Sequence, residues 1–268
     1  MVRTTELFDL SGKVALVIGA AAGGLGERAA KALAGAGAIV AVADLAASRA
    51  ELSATARSCW TGGHQAAENQ ASEHRVDVTD ERAVARLFEN VIAAHGRLDI
   101  VVNAAGIMLR KPYDETTVEE FERVVRVNLT GTWLVGREAG KALTRQGTGG
   151  RIVNLTTVYA ERVGPVPESA YYSSKAGVVN VTRSLASELG PHGITVNCLA
   201  PGVFYPTQMT APLGAQPDRL QWFADRTMLG RLGDPDADFA GPLLLLASPA
   251  SAYMTGQVVY VDGGWSAW

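Results

Sequence analysis

Residues 13 to 37 leave this chain few choices of fold. Lys13 to Gly19 reads KVALVIG, a short apolar run rich in β-branched residues, consistent with a strand buried on both faces. Gly19, Gly23, Gly24 and Gly26 follow, and then ERAAKALAGAG, which has helix-forming composition and closes on glycine. A strand, a glycine-rich turn and a helix in that order let a backbone approach a pyrophosphate and aim free N–H groups at its charge. Glycine-rich turns also cap strands that bind nothing, so the next strand carries weight. Ala38 to Ala43 reads AIVAVA and ends at Asp44, where such a fold presents a carboxylate to the ribose hydroxyls of an adenosine. That carboxylate repels a 2′-phosphate, and neither the turn nor Leu45 carries a basic group to receive one; Arg49 is the first downstream. NAD is therefore favoured over NADP.

The alternation continues. Residues 46 to 57 read as a helix, 58 to 72 as a polar connection that is long for its place, and HRVDV (74 to 78) as a third strand. ERAVARLFENVIAAHG is an amphipathic helix and LDIVVNAAG a fourth strand running into a loop. From Thr117 to about Leu143 one long helical pattern carries Asn128, a poor helix former that either faces solvent or is kept for its side chain. RIVNLTT (Arg151 to Thr157) and ITVNCLAPG (Ile194 to Gly202) are the fifth and sixth strands. A helix near 235 to 248 and the strand QVVYVDGG end the chain. The expectation is a single α/β domain over 1–268, a doubly wound parallel sheet of about seven strands with helices on both faces. Between them, 203 to 233 holds several Pro and Gly residues and a short helical stretch, LQWFADR, after the carboxyl end of a strand. This reads as a lid over a site, with Trp222, Phe223 and Met228 needing something to cover.

Ser169 to Val178 reads SAYYSSKAGV, with Tyr171 and Lys175 one helical turn apart on the same face. A cation at about 4 Å in an effective dielectric of about 20 favours a phenolate by roughly 4 kcal/mol, about three pKa units. The pair can then exchange a proton near neutral pH. One Tyr-x-x-x-Lys alone is weak evidence; its company strengthens it.

Composition excludes other classes. With 47% hydrophobic and 19% charged residues the chain can bury a core. A net charge of −3 without any Lys/Arg run argues against nucleic acid or an anionic membrane as partner. No stretch reads as a signal peptide or membrane span, so a cytoplasmic protein is expected. Cys59 and Cys198 read as free thiols, His64, His74, His95 and His192 as solvated side chains, and no metal site is expected.

With these motifs in order, the sequence from Lys13 to Gly264 resembles the short-chain dehydrogenase/reductase family in its single-domain, Rossmann-type form. The resemblance implies roles residue by residue. Gly19, Gly24, Leu25 and Gly26 would cradle the pyrophosphate, Asp77 and Val78 would meet the adenine, and Asn103, Ala104 and Gly106 would steady the sheet beside the cofactor. Pro201, Gly202, Val203 and Thr207 would border the nicotinamide. Asn128, Thr157, Tyr171 and Lys175 fall where the family has its Asn, Ser, Tyr and Lys. The chain departs from the family pattern in three places: the glycine turn is one residue longer and lacks its threonine, Thr157 replaces serine, and Thr207 lies one residue further from Pro201-Gly202. Around Met108 to Pro112, Glu161 and the terminal VDGGW the chain looks most like gluconate 5-dehydrogenases and related sugar-acid or polyol enzymes, with Arg110 placed to pair a carboxylate.

The implied activity is hydride transfer between NAD(H) and a secondary alcohol or ketone, by a homotetramer acting on a small molecule. Alternatives are reduction of a 3-oxoacyl thioester or other hydrophobic ketone and, from another class, a dinucleotide-binding sensor without catalysis.

Overall fold

The apolar runs become the strands of one sheet, in a computed structural model that describes residues 4–45, 49–59 and 71–267. Chain order is β1 (Val14–Ile18), α1 (Leu25–Gly35), β2 (Ile39–Asp44), α2 (Arg49–Ser58), β3 (Ser72–Arg75), α3 (Glu81–His95) and β4 (Ile100–Asn103). There follow α4 (Val118–Val125), α5 (Gly131–Gln146), β5 (Gly150–Leu155), α6 (Ser169–Leu189), β6 (Ile194–Pro201), α7 (Pro217–Asp225), α8 (Ala240–Ala247) and β7 (Val258–Val261). The sheet has seven strands in the order β3-β2-β1-β4-β5-β6-β7, and every adjacent pair is parallel.

Two apolar layers follow from the two-residue period of the strands. Val14, Leu16 and Ile18 of β1 face α3 and α5 through Leu87, Phe88, Val135 and Ala139, whereas Ala15 and Val17 face α1 and α8 through Ala29, Leu33, Leu243 and Leu246. Both faces of β1 are buried, which explains its unbroken apolar run. The sequence order reverses between β1 and β4, and all strands end at the same edge, so a crevice opens outside the carboxyl ends of these two strands.

Local signals set the helix ends. Asp80 accepts from Arg82 N and Ala83 N to start α3, and Gly96, at φ +74°, ends it in the left-handed conformation. Thr117 and Glu120 form a reciprocal capping box at the start of α4. The long pattern through Asn128 is three pieces. Between α4 and α5 lies a π-helical turn, Arg126–Thr130, closed by Gly131 N–H donating to Arg126 O. The wider turn of such a bulge rearranges the helical ladder around Asn128.

Four expectations are corrected. The third strand is Ser72–Arg75, because the chain bends at Val76 and Val78, which turn into the core, and Asp77 Oδ1 accepts from Thr79 N at 2.8 Å. The last helix begins at Ala240, since Asp234 Oδ1 takes the N–H groups of Asp236 and Ala237 in a separate turn. Of the aromatic and sulfur side chains expected to cover a site, Phe223 is buried, but Trp222 is 44% and Met228 54% exposed. His74 and His95 are half-buried, both bonded through Nε2 to Ser72 Oγ, at 2.8 and 2.7 Å. His64 and the centre of the 58–72 connection, like residues 46 to 48 of the second helical pattern, lie outside the described residues.

The histidine pair makes a stability prediction. Burial holds both imidazoles below their ordinary pKa, and each charge opposes the other at His74, with Glu73 acting in the opposite sense. The folded state therefore prefers the neutral rings. Their contribution is complete above an unfolded pKa of about 6.5 and declines as pH falls through the lower folded values. The urea midpoint should drop between about pH 7.5 and about pH 5.5, and His95→Gln should shrink that drop.

Candidate active site

The turn after β1 is built around two glycines with no room for a side chain. Gly19, at φ +80°, passes so close to the loop after β4 that an added Cβ would lie 2.5 Å from Ala105 N. A Cβ on Gly26 would lie 2.0 Å from Gly19 O. The first turn of α1 therefore packs onto the end of β1, and the helix starts at Gly24 without a side-chain cap. Its leading N–H groups face a cleft of about 540 Å³ bordered by Gly19, Gly24, Leu25 and Gly26. Asp44 stands at the same edge, Oδ2 accepting from Ala21 N at 2.8 Å and Oδ1 from Leu45 N at 2.7 Å. The carboxylate thus pins the turn as well as facing the cleft. The Arg49 side chain lies outside the described residues.

The cleft runs on past Asp77, Val78, Ala104, Ala105 and Gly106 to Thr157, Tyr171 and Lys175, closed by Pro201, Gly202, Val203 and Thr207. Asn103 lies beneath it, 2% exposed, with Nδ2 donating to Thr132 Oγ1 at 3.0 Å and tying β4 to α5. Asn128 is fully buried and does not border the cleft. Its Oδ1 accepts from Ile107 N at 2.8 Å, and its Nδ2 donates to Ile107 O at 2.9 Å and Ser174 Oγ at 3.0 Å. Ser174 Oγ donates in turn to Tyr171 O at 2.8 Å. The mid-helix asparagine is thus a clamp between the loop after β4 and the helix that carries Tyr171.

The acid–base pair differs from the sequence expectation. Burial raises the Tyr171 phenol above its ordinary value, Glu168 adds to this, and the hydroxyl of Thr157 and the charge of Arg110 pull the other way. Lys175 is buried too. It lies over the Tyr171 ring, Nζ 5.9 Å from the centroid, donates to Leu155 O at 2.9 Å, and is lowered to about 8 by burial. Low polarity favours the neutral form of each partner, a cost that the sequence-level Coulomb argument omits.

Two candidates for substrate contact part company. Glu161 is exposed, accepts from Tyr260 Oη at 2.6 Å, lies 3.7 Å from Arg183, and does not border the cleft; its place is on the far side of the turn Val158–Ala160. Arg110 does border the cleft, but its partner is internal: Nε donates to Glu168 Oε1 at 2.8 Å. Sequence reasoning missed Glu168, Tyr159 and Tyr172, which border the same end. The available signal was position, since Glu168 sits three residues before Tyr171, immediately ahead of the helix that carries it.

Over residues 19–266 the chain matches a family model described as enoyl-(acyl carrier protein) reductase. It is 38% identical over 256 residues to cis-4-hydroxycyclohexanecarboxylate dehydrogenase of Sinomonas cyclohexanicum, covering 95% of this chain and 97% of that one. It is 36% identical over 261 residues to gluconate 5-dehydrogenase of Gluconobacter oxydans, covering 97% and 96%. The chain belongs to the short-chain dehydrogenase/reductase family. A crystal structure of gluconate 5-dehydrogenase from Burkholderia cenocepacia, in complex with NADP and tartrate, superposes with a TM-score of 0.90 at 30% identity over 99% of this chain and 100% of that one. The chain is accordingly an oxidoreductase of the family that uses a nicotinamide dinucleotide, and the glycine cradle and uncapped helix end fit such a group. Among the described residues no group of three or more His, Cys, Asp or Glu is placed to hold a metal, and no helix is long and apolar enough to cross a membrane.

The cradle can be tested by methyl groups. Gly26→Ala forces the turn off Gly19 O and should weaken NADH and NADPH binding at least about tenfold, or about 1.4 kcal/mol, by fluorescence titration. Gly35→Ala meets nothing within 4 Å at the end of the same helix and should leave binding unchanged.

Proposed function

We propose that the chain interconverts a secondary alcohol and its ketone on a small hydroxylated molecule, a sugar acid or polyol, with NAD as cofactor. One observation carries this: Thr157, Tyr171 and Lys175 meet in the cleft that begins at the glycine cradle. NAD, when bound, takes up or supplies the hydride. In oxidation the Tyr171 phenolate takes the hydroxyl proton, and the Thr157 hydroxyl donates to the same oxygen as charge develops there. Burial opposes the ionised Tyr171 that oxidation requires, while the Thr157 hydroxyl and the nearby Lys175 ammonium favour it, and Lys175 would hold the nicotinamide ribose. Asn128 keeps Ile107 and α6 in register and supports a water-linked proton path.

The dinucleotide is assigned along the cleft: Gly19, Gly24, Leu25 and Gly26 to the pyrophosphate, Asp44 to the adenosine ribose, and Asp77 and Val78 to the adenine. Asn103, Ala104 and Gly106 stand beside it, and Pro201, Gly202, Val203 and Thr207 border the nicotinamide. NAD is preferred because the Asp44 carboxylate meets a ribose 2′-phosphate with like charge. Residues 203 to 233 serve as the lid; Gln208 N donates to Gly23 O at 2.7 Å, tying that segment to the glycine turn. The working form is a homotetramer, supported by exposed Trp133 on α5, exposed Val118 on α4 and the outer strand β7. The cytoplasm suits the free thiols of Cys59 and Cys198. The apolar wall of Val166, Leu213 and Phe223 favours a second reading, reduction of a hydrophobic ketone.

Tyr171→Phe keeps the ring and removes the proton, so turnover followed by NADH absorbance should fall by about 10²-fold or more while NADH binding persists. Wild-type turnover in that variant overturns the assignment. Wild type should favour NAD over NADP by about tenfold or more in kcat/KM, and Asp44→Asn, which keeps an acceptor for Ala21 N, should narrow that ratio.

A further inference from the structure

One end of the cleft holds an ion pair between Arg110 and Glu168. Arg110 follows β4 and Glu168 immediately precedes α6, so the two sit on the loops that frame Tyr171. The Glu168 side chain is only 4% exposed and that of Arg110 31%. Arg110 gives Nε to Glu168 Oε1 at 2.8 Å and reaches Met209 O with Nη2 at a long 3.5 Å, which leaves guanidinium donors for another partner. The Tyr172 ring stands beside the same carboxylate, its hydroxyl donating to Val166 O at 2.9 Å. Close by, Tyr159 Oη is buried without any hydrogen-bond partner.

We infer that the Arg110–Glu168 pair is a charge-selecting subsite, which binds a neutral polyhydroxylated substrate and disfavours a carboxylate. The pair has no net charge and offers a donor and an acceptor side by side, the pattern that adjacent hydroxyls match. Tyr159 and Tyr172 border the same end of the cleft, and aromatic rings suit the C–H faces of a polyol. A substrate carboxylate at Arg110 would meet the Glu168 carboxylate already bound there, and like charges in a partly desolvated site repel strongly. Glu168 thus decides what Arg110 recognises. This rests on the alcohol-oxidising reading above and narrows it to the polyol branch.

The test compares neutral polyols, xylitol, sorbitol and myo-inositol, with gluconate, using wild type and Glu168→Gln with NAD. Wild type should prefer at least one polyol over gluconate by about tenfold or more in kcat/KM, and Glu168→Gln should raise kcat/KM for gluconate by about tenfold, chiefly through KM. Retained NADH binding shows that the variant folds. A wild-type preference for gluconate, or an unchanged ratio in Glu168→Gln, overturns the inference while leaving alcohol oxidation standing. If no compound turns over, the alcohol-oxidising reading fails separately, and calorimetric binding of the same compounds to the enzyme–NADH complex decides the subsite: gluconate binding that strengthens in Glu168→Gln supports it, and equal binding in both proteins overturns it.

Discussion

The site depends on the contact between the turn after β1 and the loop after β4. At Gly19 the two backbones approach so closely that no side chain fits, and Gly26 brings the start of α1 down onto the same point. This close approach sits where the strand order reverses, and it aims a helix end, the Asp44 carboxylate and the loop Ala104 to Gly106 into one cleft. Asn128 extends the constraint. Buried in a π-helical turn, it bonds Ile107 on one side and Ser174 on the other, so the same loop is held against the helix that carries Tyr171 and Lys175.

Burial then sets the chemistry. Moving the phenol and the ammonium out of water favours the neutral form of both, so Tyr171 is raised and Lys175 lowered. Glu168 strengthens the first effect and Arg110 weakens it, which links their end of the cleft to Tyr171. A pair on one helix face is therefore not yet an acid–base device; its behaviour belongs to the cavity around it.

The glycine turn and the segment after β6 each carry one residue more than the family pattern, and they touch. Gln208 N donates to Gly23 O, so the lengthened turn has a backbone partner in the lengthened segment. The departures, separate in the sequence, are joined by this bond in the fold.

Much of the architecture was legible because it is written locally. Apolar runs and glycine closures specify strands and helices through neighbours a few residues away. The spacing of Tyr171 and Lys175 and the placement of Asp44 at the end of β2 were legible for the same reason. Tertiary structure alone decided which side chains meet across long separations. It put Glu161 on Tyr260 outside the cleft, set Glu168 on Arg110 inside it, buried Asn128 and exposed Trp222. It also set the direction of the two pKa shifts at the site. Periodicity assigns a residue to a face, but the partner on that face and the water left beside it come from elements distant in sequence, and these determine charge, solvation and function.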